Sequence, residues 1–355
     1  MNKHNFSAGP CILPKEVFQE ASKAVINFNE SNLSILEISH RSKPFLDVMY
    51  EATSLVKDLL DVPNNYSILF LQGGASLQFL MLAKNFINKK GKAIYLDTGT
   101  WSSKAIKEAK LYGDITTIAS SKDKNYNYIP KNYTIPTYGD YFHCTSNNTI
   151  YGTQIKKFPL SPINVVCDMS SDIFSRNIDV SKFDLIYAGA QKNLGPAGTT
   201  LVIINNDILN KANSKLPSML DYKIHIEKSS MFNTPPVFSI YVSMLNLKWL
   251  KKNGGISFIE KKNLEKANLL YKTIDESNLF KGIANSEDRS IMNVTFSINE
   301  KRLDDKFNQM CIDGGINGIK GHRSVGGFRA SMYNAMSIKS VKALIEIMKE
   351  LERKA

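Results

Sequence analysis

Residues 66–87 read YSILFLQGGASLQFLMLAKNFI. A short β-rich apolar run, YSILFLQ, meets two glycines and then turns helical. The succession recurs. KAIYLDTG (92–99) is a strand and a turn, followed by the helical SSKAIKEAKLYG. YFHCTSNNTIYG (141–152), INVVCDMSSD (163–172) and FDLIYAGAQ (183–191) are each an apolar run followed by small or polar residues, and TTLVIINN (199–206) reads as one more strand. Continuous apolar strands spaced by helical stretches predict an α/β unit built on a largely parallel sheet, buried on both faces. Ligand-binding residues are then expected just beyond the carboxyl ends of the strands.

Further on, PPVFSIYVSMLNLKWLKKNGG (235–255) has a Pro-Pro start, an apolar helical body and a Gly-Gly stop. An amphipathic helix, 256–278, follows. A strand SIMNVTFSI, a helix LDDKFNQMCIDGG and a final helix from residue 337 close the chain. The pattern divides it into an N-terminal segment 1–15, a large α/β domain 16–256 and a small α+β domain 257–355.

The bulk numbers exclude more than they assign. The 355 residues are 43% hydrophobic and 22% charged, an ordinary globular composition. No apolar run approaches the ~20 residues of a membrane span, and the amino end lacks a signal-peptide apolar region; a soluble cytoplasmic protein with no membrane partner is expected. The net charge of +12 is spread along the chain without a basic block interleaved with aromatics, so no nucleic-acid partner is expected. The four cysteines form no CxxC pair and the five histidines no metal-spaced cluster, so no metal is expected.

Several residues beyond apparent strand ends carry chemistry. Lys192, after DLIYAG and inside AGAQKNLGPAG, would lie at the mouth of the sheet, where desolvation lowers its pKa and frees the neutral amine that Schiff-base formation needs; a surface lysine on a loop is the alternative. Asp168 ends INVVCD and is placed either to pair with a protonated pyridine nitrogen or to cap a helix. In LQGGASLQF, Gly73 and Gly74 end a strand, and Ala75 and Ser76 open a helix whose free N–H groups favour a phosphate; a plain turn reads the same way. Trp101, one of two tryptophans, is placed to stack on a planar ring or simply to pack. Thr149 is a candidate donor to a ring substituent, or a turn residue. His40 and Arg41 in EISHRSKPF, and His322, Arg323 and Arg329 in IKGHRSVGGFRASMYNA, suit a small substrate with more than one anionic group, or surface ion pairs.

Taken together, NFSAGPCILP, SHRSKPF, LQGGASLQF, DTGTWS, VVCDMSSDIFSR, YAGAQKNLGPAG, NTPPVFSIY and GHRSVGGFRASMYNA resemble the phosphoserine aminotransferase family. The stretches run from residue 5 to 335 in the family's order. The resemblance implies fold type I of the pyridoxal 5′-phosphate (PLP)-dependent transferases (class V), with a seven-stranded, mostly parallel sheet, and a homodimer with sites at the subunit interface. It implies that Lys192 binds the cofactor's aldehyde, that Asp168 faces the ring nitrogen and that Trp101 stacks on the ring. Ala75, Ser76 and Gln191 would hold the phosphate, and Thr149 would bond near the ring oxygen. Asn233 and Thr234 would reach the cofactor phosphate of the neighbouring subunit. Arg41 and Arg329 resemble residues that handle substrate carboxylates; His40, His322 and Arg323 resemble those that grip its phosphate. Where some members read Gly-Arg after the paired glycines, this chain has Ala-Ser. The implied reaction moves the amino group of L-glutamate to 3-phosphohydroxypyruvate in two half-reactions; some bacterial members also take 3-hydroxy-2-oxo-4-phosphooxybutanoate. A cysteine desulfurase would need a mobile nucleophilic cysteine, which neither Cys167 nor Cys311 suits. An alanine–glyoxylate type enzyme would give this arginine set less to do.

Overall fold

Alternation within each apolar run builds the centre of the molecule. In the strand Tyr66–Leu71, Phe70 joins one apolar cluster while Leu69 and Leu71 join another. The same split recurs along Lys92–Asp97, where Ile94 and Leu96 face one way and Ala93 and Tyr95 the other. Leu185–Gly189 divides likewise, Ile186 and Ala188 against Leu185 and Tyr187. Side chains of a strand point alternately to its two faces, so apolar residues at every position give a sheet covered on both sides. One cover comes from helices Lys15–Ile26, Lys43–Leu60 and Val237–Lys252, and the other from Gly74–Phe86 and Thr100–Ala109. The computed structural model that gives this arrangement describes residues 3–88 and 91–355.

The large sheet has seven strands in the order Tyr66–Leu71, Thr200–Asn205, Leu185–Gly189, Val165–Asp168, Tyr141–Thr145, Lys92–Asp97 and Asp114–Ser120. All pairings are parallel except the two made by Thr200–Asn205, which is antiparallel to both neighbours. The edge strand Asp114–Ser120 is absent from the sequence reading. It mixes polar and apolar residues and has no fully buried position, so it lacks the apolar run that marks the other six.

A second core gathers the three-stranded antiparallel sheet Phe280–Gly282, Asn293–Ile298 and Phe328–Ser331 with helices Asp304–Asp313 and Ile338–Arg353. Phe280, Phe296, Phe307 and Phe328 meet there edge to face and stacked, with ring centroids 4.8–6.2 Å apart. The helix Gly255–Asp275 serves both cores: Ile256 and Ile259 belong to the first and Ala267 onward to the second. The amino end also crosses over. His4–Asn5 pairs in parallel with Ile316–Asn317, and Phe6 is fully buried in the second core.

Candidate active site

The parallel strands all deliver their carboxyl ends to one edge of the sheet, and a cavity of about 310 Å³ lies there. Its wall takes Gly74, Ala75 and Ser76 from beyond the first strand and Trp101 from beyond the second. Thr145 ends the next strand with Asn147 and Thr149 just beyond it, Asp168 ends another, and Gln191 and Lys192 follow Gly189. The second core closes the cavity with His322 and Arg329, and the amino-terminal segment adds Ala8 and Gly9.

Lys192 is 8% exposed, which removes the surface-lysine alternative. Its turn is pinned by Asn246 Nδ2, which donates to the carbonyls of Asn193 and Leu194 at 2.7 and 2.9 Å. Gly195 passes so close to helix Val237–Lys252 that a Cβ would sit 2.3 Å from Ser243 Oγ, so only glycine fits. Lys192 Nζ donates to Thr149 Oγ1 at 2.8 Å. Burial holds the amine down at about 8; Asp168 works against that and Arg329 with it. Asp168 is also buried, and its Oδ1 accepts the Ser170 N–H at 2.9 Å. Burial raises its pKa, while the Ser170 hydrogen bonds and the Lys192 charge oppose the rise. Each group is pushed towards neutrality by desolvation, and each lacks a full partner.

Behind Asp168, Ser146 Oγ reaches the Asp168 carbonyl at 3.0 Å and also bonds the Asp172 carboxylate. Asp172 accepts from Gln154 Nε2 and Arg176 Nη2, both at 3.0 Å, so this second buried carboxylate is neutralised in place.

The turn before helix Gly74–Phe86 runs through Gly73 and Gly74 at φ +83 and +64, conformations that favour glycine. Among the described residues no side chain caps this helix, and a Cβ at Gly74 would meet nothing within 4 Å. The free N–H groups and the dipole of a thirteen-residue helix therefore face open space.

Trp101 is held by an unannounced hub. Asp97, the last residue of its strand, accepts four hydroxyls: Ser102 and Ser103 on Oδ1 at 3.0 and 2.8 Å, Ser120 and Tyr126 on Oδ2 at 3.0 and 3.2 Å. Ser102 Oγ also accepts the Thr98 and Gly99 N–H groups, both at 2.9 Å, and so fixes the turn that aims Trp101. Trp101 and Val325 both pack on the cluster of Tyr126, Ile150 and Tyr151.

Arg329, half-buried on the small sheet, points Nη1 at the Thr149 carbonyl, 3.5 Å away, and burial lowers its pKa. His322 is lowered as well, by burial first and then by Arg329, Arg323 and Lys104. Arg323 is exposed and lines a neighbouring cavity of about 350 Å³ with Asp304 and Asp305. Four other sequence-predicted residues stay out of the main cavity. His40 is half-buried and Arg41 exposed; Asn233 Nδ2 donates to Gln72 Oε1 at 3.1 Å, and exposed Thr234 offers its carbonyl to Gln72 Nε2 at 2.8 Å.

Ala8, Gly9, Thr145, Asn147 and Ser170 were not singled out in the sequence. Their contribution is backbone or a common hydroxyl or amide, with no distinctive spacing. Asp97 did carry a signal, a carboxylate closing an apolar run, the same one that marked Asp168. The half-buried Cys11 donates its thiol to the Lys192 carbonyl at 2.9 Å, and burial pushes it up to about 12, so it is no nucleophile. Among the described residues no cluster of His, Cys, Asp and Glu could hold a metal, and no helix is long and apolar enough to cross a membrane.

The profile of the class-V aminotransferases matches residues 3–344. A phosphoserine aminotransferase of Flavobacterium psychrophilum is 63% identical over 355 residues, covering 100% of both chains. The chain belongs to the phosphoserine aminotransferase family. Among solved structures, a phosphoserine aminotransferase studied for radiation damage of its Schiff base superposes with a TM-score of 0.98 at 47% identity, covering 100% of this chain and 99% of that one. A PLP-bound phosphoserine aminotransferase from Trichomonas vaginalis gives 0.94 at 38%, covering 98% and 100%. The fold is therefore fold type I of the PLP-dependent transferases, as expected from the sequence, and the seven-stranded, mostly parallel sheet is its large-domain core.

Proposed function

We propose that this chain is a PLP-dependent phosphoserine transaminase: it moves the amino group of L-glutamate to 3-phosphohydroxypyruvate and releases 2-oxoglutarate and O-phospho-L-serine. The observation that carries the reading is the buried Lys192 amine, held at about 8 in a cavity shared with Asp168 and an uncapped helix N-terminus.

The residues present fit the cofactor. Among the described residues, Trp101 Nε1, Thr145 Oγ1 and Arg329 Nε are buried polar atoms without a partner, all on residues that line the cavity. The open N-terminus at Gly74 suits a phosphate, with Ala75, Ser76 and Gln191 around it. When bound, PLP supplies an aldehyde that takes up the amino group and a ring that accepts the electrons of the Cα–H bond. Asp168 would keep the ring nitrogen protonated and gain the positive partner its burial calls for. Trp101 would cover the ring face, and Thr149 would turn its hydroxyl from Lys192 to the ring oxygen. A lysine amine near 8 is partly neutral at physiological pH, so Lys192 can take a proton from substrate Cα and return one.

Arg329 and Arg41 would take substrate carboxylates, and His322, Arg323 and His40 the phosphate. Asn233 and Thr234, outside the cavity of their own chain, would serve the cofactor phosphate of a second copy, making a homodimer the working unit. The two cores suit a division into 16–256 and 257–355, with segment 1–15 bridging them. A cytoplasmic location goes with soluble anionic metabolites and four free thiols.

The test is the visible spectrum of the PLP-loaded protein. L-Glutamate should convert it to the pyridoxamine form, and 3-phosphohydroxypyruvate should restore it. Borohydride should fix the pyridoxyl group on Lys192. An unchanged spectrum, or a label on another lysine, would overturn the reading.

A further inference from the structure

Lys266 is a buried cation that the proposed chemistry does not use. It lies in helix Gly255–Asp275, where that helix passes from the first core to the second, and is 2% exposed. A buried ammonium ordinarily has a carboxylate beside it. Among the described residues none pairs with Lys266. Its Nζ donates instead to two backbone carbonyls, those of Met332 at 3.1 Å and Tyr333 at 2.9 Å. Burial holds the amine down at about 7, so its neutral form is well populated at physiological pH. A neutral amine still has an N–H for each carbonyl.

Both carbonyls belong to the chain just beyond strand Phe328–Ser331, the strand that carries Arg329. The Tyr333 carbonyl also accepts the Met336 N–H at 2.9 Å, but the buried Met332 carbonyl has no other donor among the described residues. The next residue is tied to the large core. The Asn334 N–H donates to Asn193 Oδ1 at 3.0 Å, and Asn193 is the neighbour of Lys192. Asn334 Oδ1 accepts from Asn263 Nδ2 at 2.9 Å, and its Nδ2 donates to the Phe174 carbonyl at 2.9 Å. The stretch 332–334 is thus a strut. Arg329 lies just upstream of it, its far end is fastened to the Lys192 turn, and Lys266 holds the part between.

We propose that Lys266 is a positioning residue for the transamination: through the Met332 and Tyr333 carbonyls it sets where Arg329 stands relative to the Lys192 amine. The proposal rests on the transaminase reading above. Arg329 takes a substrate carboxylate and Lys192 takes a proton from Cα, so the span between them decides how a bound substrate is presented. The hydrogen bond from Arg329 to the large core is long, 3.5 Å from Nη1 to the Thr149 carbonyl, and does little to fix that span. A lysine arm from a helix that packs in both cores fixes it from behind, without entering the cavity.

The experiment compares the PLP-loaded wild type, Lys266→Met and Lys266→Gln. Methionine removes the donors at similar volume; glutamine keeps N–H donors on a shorter arm. Calorimetric titration with glutarate, an unreactive dicarboxylate, reads the grip on the substrate carboxylates apart from the chemistry, and absorbance titration reads PLP affinity. In Lys266→Met glutarate should bind about tenfold more weakly and KM for glutamate should rise in step, with PLP affinity within about twofold of the wild type. In Lys266→Gln the loss should be about threefold, which keeps the test in force if the methionine variant does not fold. A glutarate affinity unchanged in the variants that fold, or a loss shared equally by glutarate and PLP, overturns the assignment of Lys266 and leaves the transaminase intact. A wild type that takes up PLP yet binds neither glutarate nor glutamate overturns the reading it rests on, and the role of Lys266 with it.

Discussion

A buried amine should weaken the fold, and Lys192 allows the cost to be worked out. The perturbation is Lys192→Met, which keeps the volume of the side chain and removes the charge. Burial holds the amine at about 8 against 10.5 for an unperturbed lysine. Between those values the unfolded chain binds a proton that the folded chain does not, so stability rises with pH across that window. Below about pH 8 both states are protonated, and the folded state carries the full burden of a desolvated ammonium. At about 1.36 kcal/mol per pH unit, that burden is about 3 kcal/mol. Removing the lysine also leaves Thr149 Oγ1 without its donor, a loss of about 1 kcal/mol. Cofactor-free Lys192→Met is therefore expected to be more stable than the wild type by about 2 kcal/mol at pH 7, with the gap closing as pH approaches 10.5. Urea unfolding at a series of pH values measures this. Lys266, buried against the Met332 and Tyr333 carbonyls and lowered to about 7, adds its own rise with pH, but it is common to both proteins and cancels in the difference. A variant no more stable than wild type at pH 7, or a gap independent of pH, would refute the claim that Lys192 is poised by desolvation.

Asp168→Asn removes the charge that supports the Lys192 proton, so the amine should titrate lower still; amine transfer should fall at least about a hundredfold while PLP still binds, as read by absorbance titration and stopped-flow half-reactions. Asp97→Ala leaves four hydroxyls without their acceptor and should cost about 3 kcal/mol or more, with a shift in Trp101 emission that unfolding curves and fluorescence report together. Gly99→Ala would put a Cβ 2.9 Å from Asn148 Oδ1 and 3.1 Å from the Tyr151 ring; overpacking of about 1–3 kcal/mol should appear as a lower thermal midpoint and weaker cofactor affinity.

Strand ends could be read because both faces of the sheet are covered, so a strand appears as an unbroken apolar run and stops where the chain meets the cavity. Asp168 closes such a run and Lys192 stands three residues beyond another. Asp114–Ser120, at the edge, has no need of apolar residues on every position, and its sequence did not announce it. Nor could the reversed direction of Thr200–Asn205 be seen, since strand composition carries no polarity. Phe328–Ser331, which aims Arg329, follows Gly326 and Gly327 and was not read as a strand. His40 and Arg41 were marked by their basic side chains and Asn233 and Thr234 only by family resemblance, and none of the four lines the main cavity of its own chain. The hydroxyl hub on Asp97 depends on Ser120 and Tyr126, more than twenty residues away, a convergence that no local pattern encodes.

The crossing of the amino end into the second core has a consequence for biosynthesis. His4 and Asn5 find their strand partners only at Ile316 and Asn317, and Ala8, whose carbonyl accepts the Tyr333 hydroxyl at 2.8 Å, completes the cavity wall. A nascent chain emerging from the ribosome amino end first can assemble the large sheet early, yet His4 and Asn5 must wait unpaired until Ile316 and Asn317 have been made. The pocket at the sheet's edge is thus sealed late in synthesis, by a pairing more than three hundred residues apart.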